Sequence, residues 1–234
     1  MQYMMLPLDQ HFDRGFGAVA DAFTDSADSL SDRPVPSMNA HLPVSFLYRH
    51  AIELYFKSAI LIFHRKFQLP FGETPHDGEP QVPVQGKWKP MYNVHQLKPL
   101  YDYFCTLFAD QSAYLAKNTN TDWSFPEQFG RWIEAIEATD SSSTFFRYPI
   151  TKHAAKDKEK SVFREVEYEQ MINAIGERKK PLKAFVIVDQ NDEVVQSFSR
   201  DDGFAEEALT ALRGVAKILH DYHAALVGEL TGGW

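Results

Sequence analysis

A chain of 234 residues, 44% apolar and 24% charged, is long enough to close a substantial core in a single domain without staples. Its one cysteine, Cys105, excludes an intrachain disulfide and any zinc site built on two thiolates, and fits a reducing, cytoplasmic setting. The formal charge of −8 makes the surface a poor match for a polyanion, although ten Lys/Arg against six Asp/Glu between Arg147 and Lys183 give that stretch a local +4.

The N-terminus, Met1 to Asp9, has no basic residue ahead of its apolar stretch and is a poor secretory signal. Phe12, Phe16, Val19, Ala20 and Phe23 recur at helical spacing, which predicts a first amphipathic helix over about 9–30, weakened by Gly15 and Gly17. Pro34 and Pro36 then break the chain before an apolar helix over about 41–65, with Pro43 tolerated in its first turn. Arg49, His50, Glu53 and Lys57 within that helix exclude a membrane span. From 68 to 92, prolines at 70, 75, 80, 83 and 90 alternate with glycines, which predicts a loop insertion lying outside the core.

A third helix is expected over about 96–111, with Leu97, Leu100, Tyr101, Phe104, Leu107 and Phe108 on its buried face. A fourth should follow the capping-box spacing of Ser124-Phe-Pro-Glu127 and end near Thr139. Thr144 to Ile150 reads as extended because Pro149 opposes a helix, and Lys152 to Lys160 as a solvated charged segment. Val162 to Ile175 fits helix or strand, with helix favoured. Lys183–Asp189 and Glu193–Phe198 flank Gln190-Asn-Asp192 as a β-hairpin. The last helix runs from Asp202 with a seam of Ala208, Leu212, Val215, Leu219, Tyr222 and Leu226, and Gly232-Gly233-Trp234 lies beyond it. The expected fold is therefore mainly α: one helical-bundle domain over 1–234, with a loop insertion at 68–92 and a charged segment plus β-hairpin at 155–200, before the last helix.

Arg49, Glu53 and Lys57 are spaced four apart on an otherwise apolar helix, so they form one stripe with His50 beside it. Either the stripe is solvated, or its charges are partly buried and must find partners from other elements, for which His95 and Arg147 are the candidates. On the second reading Glu53 and Arg147 meet, with His95 or Arg49 close by.

These residues carry a resemblance. Leu47-Tyr-Arg49-His50-Ala-Ile-Glu53-Leu54-Tyr-Phe-Lys57, then His95-Gln-Leu97-Lys-Pro-Leu100, then Asp140 ahead of Phe146-Arg147-Tyr148-Pro149, is similar to uncharacterised bacterial proteins of the HEPN (higher eukaryote and prokaryote nucleotide-binding) superfamily. The resemblance covers roughly 44–150. It implies an all-α bundle, commonly dimeric, found in nucleases of toxin, antiviral and RNA-processing systems and in non-catalytic relatives that only bind. Catalytic members carry Arg, four to six residues, then His on a late helix, usually with a polar residue directly after the Arg. Arg213-Gly-Val-Ala-Lys-Ile-Leu-His220 has that spacing on the last helix, with Gly214 in place of the polar residue; Arg147 to His153 has it without a helix.

Two functions follow as expectations. One is a non-catalytic or weakly catalytic HEPN-like module that binds a nucleotide, an anion, RNA or a partner protein through Arg49, His50, Glu53, Lys57, His95 and Arg147, in a toxin or defence setting. The other is a metal-independent endoribonuclease in which Arg213 neutralises the scissile phosphate and His220 moves protons for attack by the ribose 2′-hydroxyl. Neither calls for a metal or cofactor. A homodimer through the last helix or the helix at 44–63 is expected, because Ala216, His223 and Val227 widen the apolar band beyond what one neighbour needs.

Overall fold

A computed structural model describes residues 5–32, 39–175, 183–201 and 203–233. The breaker at Pro34 and Pro36 and the terminal Trp234 lie outside these residues, as does Asp202. The architecture is organised around α2 (His41–Phe67), in which fourteen successive residues, Ala51 to His64, are buried. A helix buried on every side, its one charged stripe included, must be wrapped by its neighbours. It is covered by α1 (Phe16–Ser31), α3 (Leu97–Asn118) and α7 (Gly203–Leu230), and α4 (Gln128–Asp140) packs on α3 and α7.

Several boundaries differ from expectation for identifiable reasons. α1 begins at Phe16 rather than near residue 9, because Gly15 takes φ +81° and the Asp13 carboxylate accepts the N–H groups of Gly15 and Gly17 at 3.0 and 2.7 Å. The Pro/Gly-rich stretch is not outside the core. It forms a hairpin, β1 (Gln81–Val84) and β2 (Lys87–Pro90), turning through Gln85 and Gly86 at φ +51° and +76°, and it buries Phe71, Val82, Val84 and Met91. The capping box does not form: Ser124 N–H donates to Asp122 at 2.9 Å, and α4 is anchored by Phe125 stacked between Phe129 and Tyr222, at 4.8 and 4.2 Å.

Thr144 to Ile150 is a set of turns rather than an extended segment. Asp140 Oδ1 accepts the N–H groups of Thr144 and Phe145 at 2.7 and 2.9 Å, and the N–H groups of Arg147 and Tyr148 both return to the Thr144 carbonyl. The following charged segment is only partly solvated. After α5 (Ala154–Asp157), Lys160 is buried, donating to the Tyr148 carbonyl and Asp157 and lying 4.6 Å from the Phe145 ring centre. Residues 162–175 supply both candidate structures, β3 (Phe163–Glu165) and α6 (Tyr168–Ile175). The hairpin forms as expected from β4 (Ala184–Val188) and β5 (Val194–Arg200), and β3 joins it in an antiparallel sheet of order β3-β5-β4.

The α7 seam is buried at Leu212, Val215, Leu219, Tyr222 and Leu226. Ala216, His223 and Val227, expected to leave an apolar band for a second copy, are also buried within the chain. Neither α2 nor this part of α7 has a free apolar face. No helix among the described residues is long and apolar enough to cross a membrane.

Candidate functional site

The charged stripe of α2 is interior. Arg49, Glu53 and Lys57 are 0%, 1% and 2% exposed, and each is held by the others. Lys57 Nζ donates to Glu53 Oε1 at 2.7 Å and Arg49 NH1 to Glu53 Oε2 at 3.4 Å. Arg49 NH2 also donates to the His95 carbonyl at 2.6 Å, and Nε faces Asp140 at 3.9 Å. His95 Nδ1 reaches Glu53 at 3.0 Å from a half-exposed ring. Burial alone would raise the Glu53 carboxyl, but Lys57, His95 and Arg49 hold it below the usual carboxylate range. Burial pulls the Arg49 guanidinium below its ordinary value, opposed by Asp140, Glu53 and Glu137. Glu137, raised by burial, receives the N–H groups of Lys98 and Leu97 at the start of α3.

This network ties α2 to α3 and α4 through charge pairs, with Arg49 Nε and Glu137 Oε2 buried without a hydrogen-bond partner. Arg49, Glu53 and Lys57 are buried in this ion-pair network, and of the residues bonded to Glu53 it is His95 that reaches the surface. Two expected members lie elsewhere. Arg147 does not meet Glu53; it is exposed and rests over the rings of Phe46 and Tyr148 at 5.4 and 5.9 Å. His50 stacks parallel to Phe46 at 6.0 Å and edge-on to Phe23 at 4.6 Å, and burial lowers its pKa. Asp140, not Arg147, is the partner that completes the cluster.

The Arg213/His220 pair has a different setting. A seven-residue separation puts both on one face of α7, opposite Asp21, Asp25, Asp28 and Asp32, which recur at four- and three-residue steps along α1. Thr24, Asp25, Asp28, Tyr48, Arg213, Lys217 and His220 line a single cleft of about 190 Å³. Arg213 lies 3.1 Å from Asp28 and 3.7 Å from Asp32, and Tyr48 donates to Asp28 at 2.6 Å. Burial pushes the Tyr48 phenol up to about 12, with Asp28 adding to the shift, so it remains a donor.

His220 Nδ1 is 2.9 Å from Asp21, which also accepts the Tyr55 hydroxyl at 2.7 Å. His220 Nδ1 also lies 3.2 Å from the Tyr55 hydroxyl, so the ring is held from its Nδ1 side by Asp21 and Tyr55. No protein-family model, curated protein or solved structure matches this chain. The site is therefore read from its geometry.

Gly214, the departure from the catalytic spacing, has a packing reason: a Cβ there would stand 2.5 Å from Cζ3 of Trp132. The polar residue of the motif is incompatible with that ring. Sequence reasoning missed the α1 aspartates, whose signal was their helical period, and it missed the polar seam deeper between the helices. There Ser58 donates to Asp13 at 2.6 Å and lies 3.1 Å from His223 Nδ1.

Proposed function

We propose that the chain is a HEPN-like helical module that binds a mononucleotide-sized ligand in the cleft between α1 and α7, without cleaving RNA. The observation that carries this reading is the mixed lining of one small cleft: Arg213, Lys217 and His220 face Asp25 and Asp28. A nucleotide presents a phosphate to the cationic side and amino or hydroxyl donors to the carboxylates. A polymer fits less well, because Asp21, Asp25, Asp28 and Asp32 along α1 would repel successive phosphates beyond the one that Arg213 and Lys217 can meet. Calorimetric titration with the four ribonucleoside monophosphates should give saturable binding that Arg213→Ala weakens about tenfold or more, the loss of one charge-assisted contact. Absence of binding by all four would reject this reading.

A second reading, the metal-independent endoribonuclease, is favoured by one feature: Asp21 fixes His220 as a triad carboxylate fixes its histidine. On that reading a mixed RNA pool is cleaved in EDTA to 2′,3′-cyclic phosphates, and His220→Ala abolishes the activity.

A further inference from the structure

We infer that β4 is the interface of a symmetric dimer in which the β4 strands of two copies of this chain pair antiparallel, joining two three-stranded sheets into one of six strands. The starting point is how the described edge strands are guarded. β1 contains Pro83, β2 contains Lys87, Lys89 and Pro90, and β3 is three residues long and carries Arg164 and Glu165. Proline, charge and shortness are the usual defences of a strand edge. β4, Ala-Phe-Val-Ile-Val, has none of them, and among the described residues its neighbour in the sheet is β5 alone. Its side chains are also poorly covered: Phe185 is 58% exposed and Val188 49%.

The strand is complementary to itself. Arg200 N–H donates to the Lys183 carbonyl and Asp189 N–H to the Glu193 carbonyl, so the odd-numbered residues of β4 direct their backbone groups toward β5. Ala184, Val186 and Val188 therefore direct theirs outward, where a further strand would add. A two-fold axis at Val186 sets Val186 opposite its own copy and Ala184 opposite Val188 of the other chain, each as a hydrogen-bonded pair. On the exposed face it sets Phe185 opposite Ile187, an aromatic–β-branched pair.

The same register brings Lys183 opposite Asp189, one opposite-charge pair at each end. Asp189 is held ionised by the N–H groups of Glu193 and Asn191, which keep its carboxyl below the usual range. No register other than the one centred on Val186 pairs both flanking charges with their opposites. An isologous contact of this kind closes at two copies, so it yields a dimer rather than a fibre. The surface is separate from the α1/α7 cleft and stands whether or not that cleft binds a nucleotide.

Sedimentation velocity of the full chain over a concentration series tests the pairing. The wild-type protein should show a reversible monomer–dimer equilibrium. Val186→Lys places two ammonium groups on the axis, and Lys183→Glu sets Glu opposite Asp189 at both ends; each should raise the dissociation constant at least about tenfold. Lys183 is exposed, so the melting midpoint of Lys183→Glu at monomeric concentrations should be unchanged, whereas Val186 is half-buried and its replacement can cost stability as well. Lys183→Glu lies outside the apolar run and keeps the test decisive if Val186→Lys fails to fold. A wild-type monomer at every concentration would overturn the inference. So would a dimer that neither substitution weakens, because its interface would then lie elsewhere.

Discussion

Glu53→Gln removes one charge from the interior while changing almost no volume, so its effect isolates the α2 ion-pair network. Glu53 is 1% exposed and accepts from Lys57 at 2.7 Å, His95 at 3.0 Å and Arg49 at 3.4 Å. Arg49 keeps Asp140 and Glu137 nearby, whereas Glu53 is the carboxylate bonded to Lys57, itself 2% exposed. Leaving a buried cation without its counter-charge costs about 3 to 5 kcal/mol, and the remaining amide oxygen of Gln favours the lower end. For a chain of this size each kcal/mol moves the melting midpoint by about 2 to 4 °C, so the drop should be at least about 6 °C. Differential scanning calorimetry at neutral pH reads this directly. Glu53→Gln/Lys57→Met, which removes both charges, should recover much of the loss because an apolar pair of similar shape is tolerated where a lone charge is not. A single-variant midpoint within about 2 °C of wild type, a third of the smallest expected drop, would show that the buried pair carries no net stability and that the reasoning is wrong.

The other predictions concern packing and pH. Gly214→Ser, which restores the polar residue of the catalytic spacing, should destabilise the fold by about 1 to 3 kcal/mol as its Cβ meets the Trp132 ring at 2.5 Å; a neutral result in urea denaturation would contradict that contact. Gly17→Ala, which in an ordinary helix would stabilise, should instead lower the melting midpoint, because the new Cβ falls 2.0 Å from Cε1 of the buried His223; a raised midpoint would show that the ring is free to move. Burial holds the imidazoles of His41, His50, His64 and His223 below their ordinary range. Groups kept neutral in the fold contribute stability that is complete above the unfolded value of about 6.5 and is lost as pH falls through their lower folded values. The melting midpoint should therefore decline progressively below pH of about 6.5, with the depressed Glu53 carboxyl adding a further loss below about 4.3, and a flat profile across the histidine range would refute the assignment.

What could be read from the sequence was periodic. The five longest helices and the β4–β5 hairpin follow from apolar spacing, and Arg49, Glu53 and Lys57 were recognisable as a stripe because four-residue steps align on one helical face. Whether that stripe faced water or the interior was not decided by α2 itself, since a helix that is apolar on every other side offers no polar face to point outward. The answer lay in α4, whose Asp140 sits ninety-one residues from Arg49. Arg147 was misassigned because Phe46 and Tyr148 provide ring faces that compete with a buried carboxylate for its guanidinium. The start of α1 turned on one left-handed glycine, and the burial of Val82 and Val84 on a two-residue hairpin turn within a proline-rich stretch. Both are local backbone choices that composition obscures. For the candidate cleft, the Arg213/His220 spacing was visible, but the α1 aspartates that change its electrostatic character come from almost two hundred residues away.

The central claim is that Arg213 and His220 act in one nucleotide-binding cleft. The most direct measurement is a titration followed through the imidazole C–H resonances of the wild-type chain by NMR, with ribonucleoside monophosphates as the probe. His220 should shift saturably while the buried His64 and His223 stay fixed, and Arg213→Ala should weaken the response by about tenfold. A His220 resonance that does not move while nucleotide is in large excess, or one that moves equally in Arg213→Ala, would contradict the account.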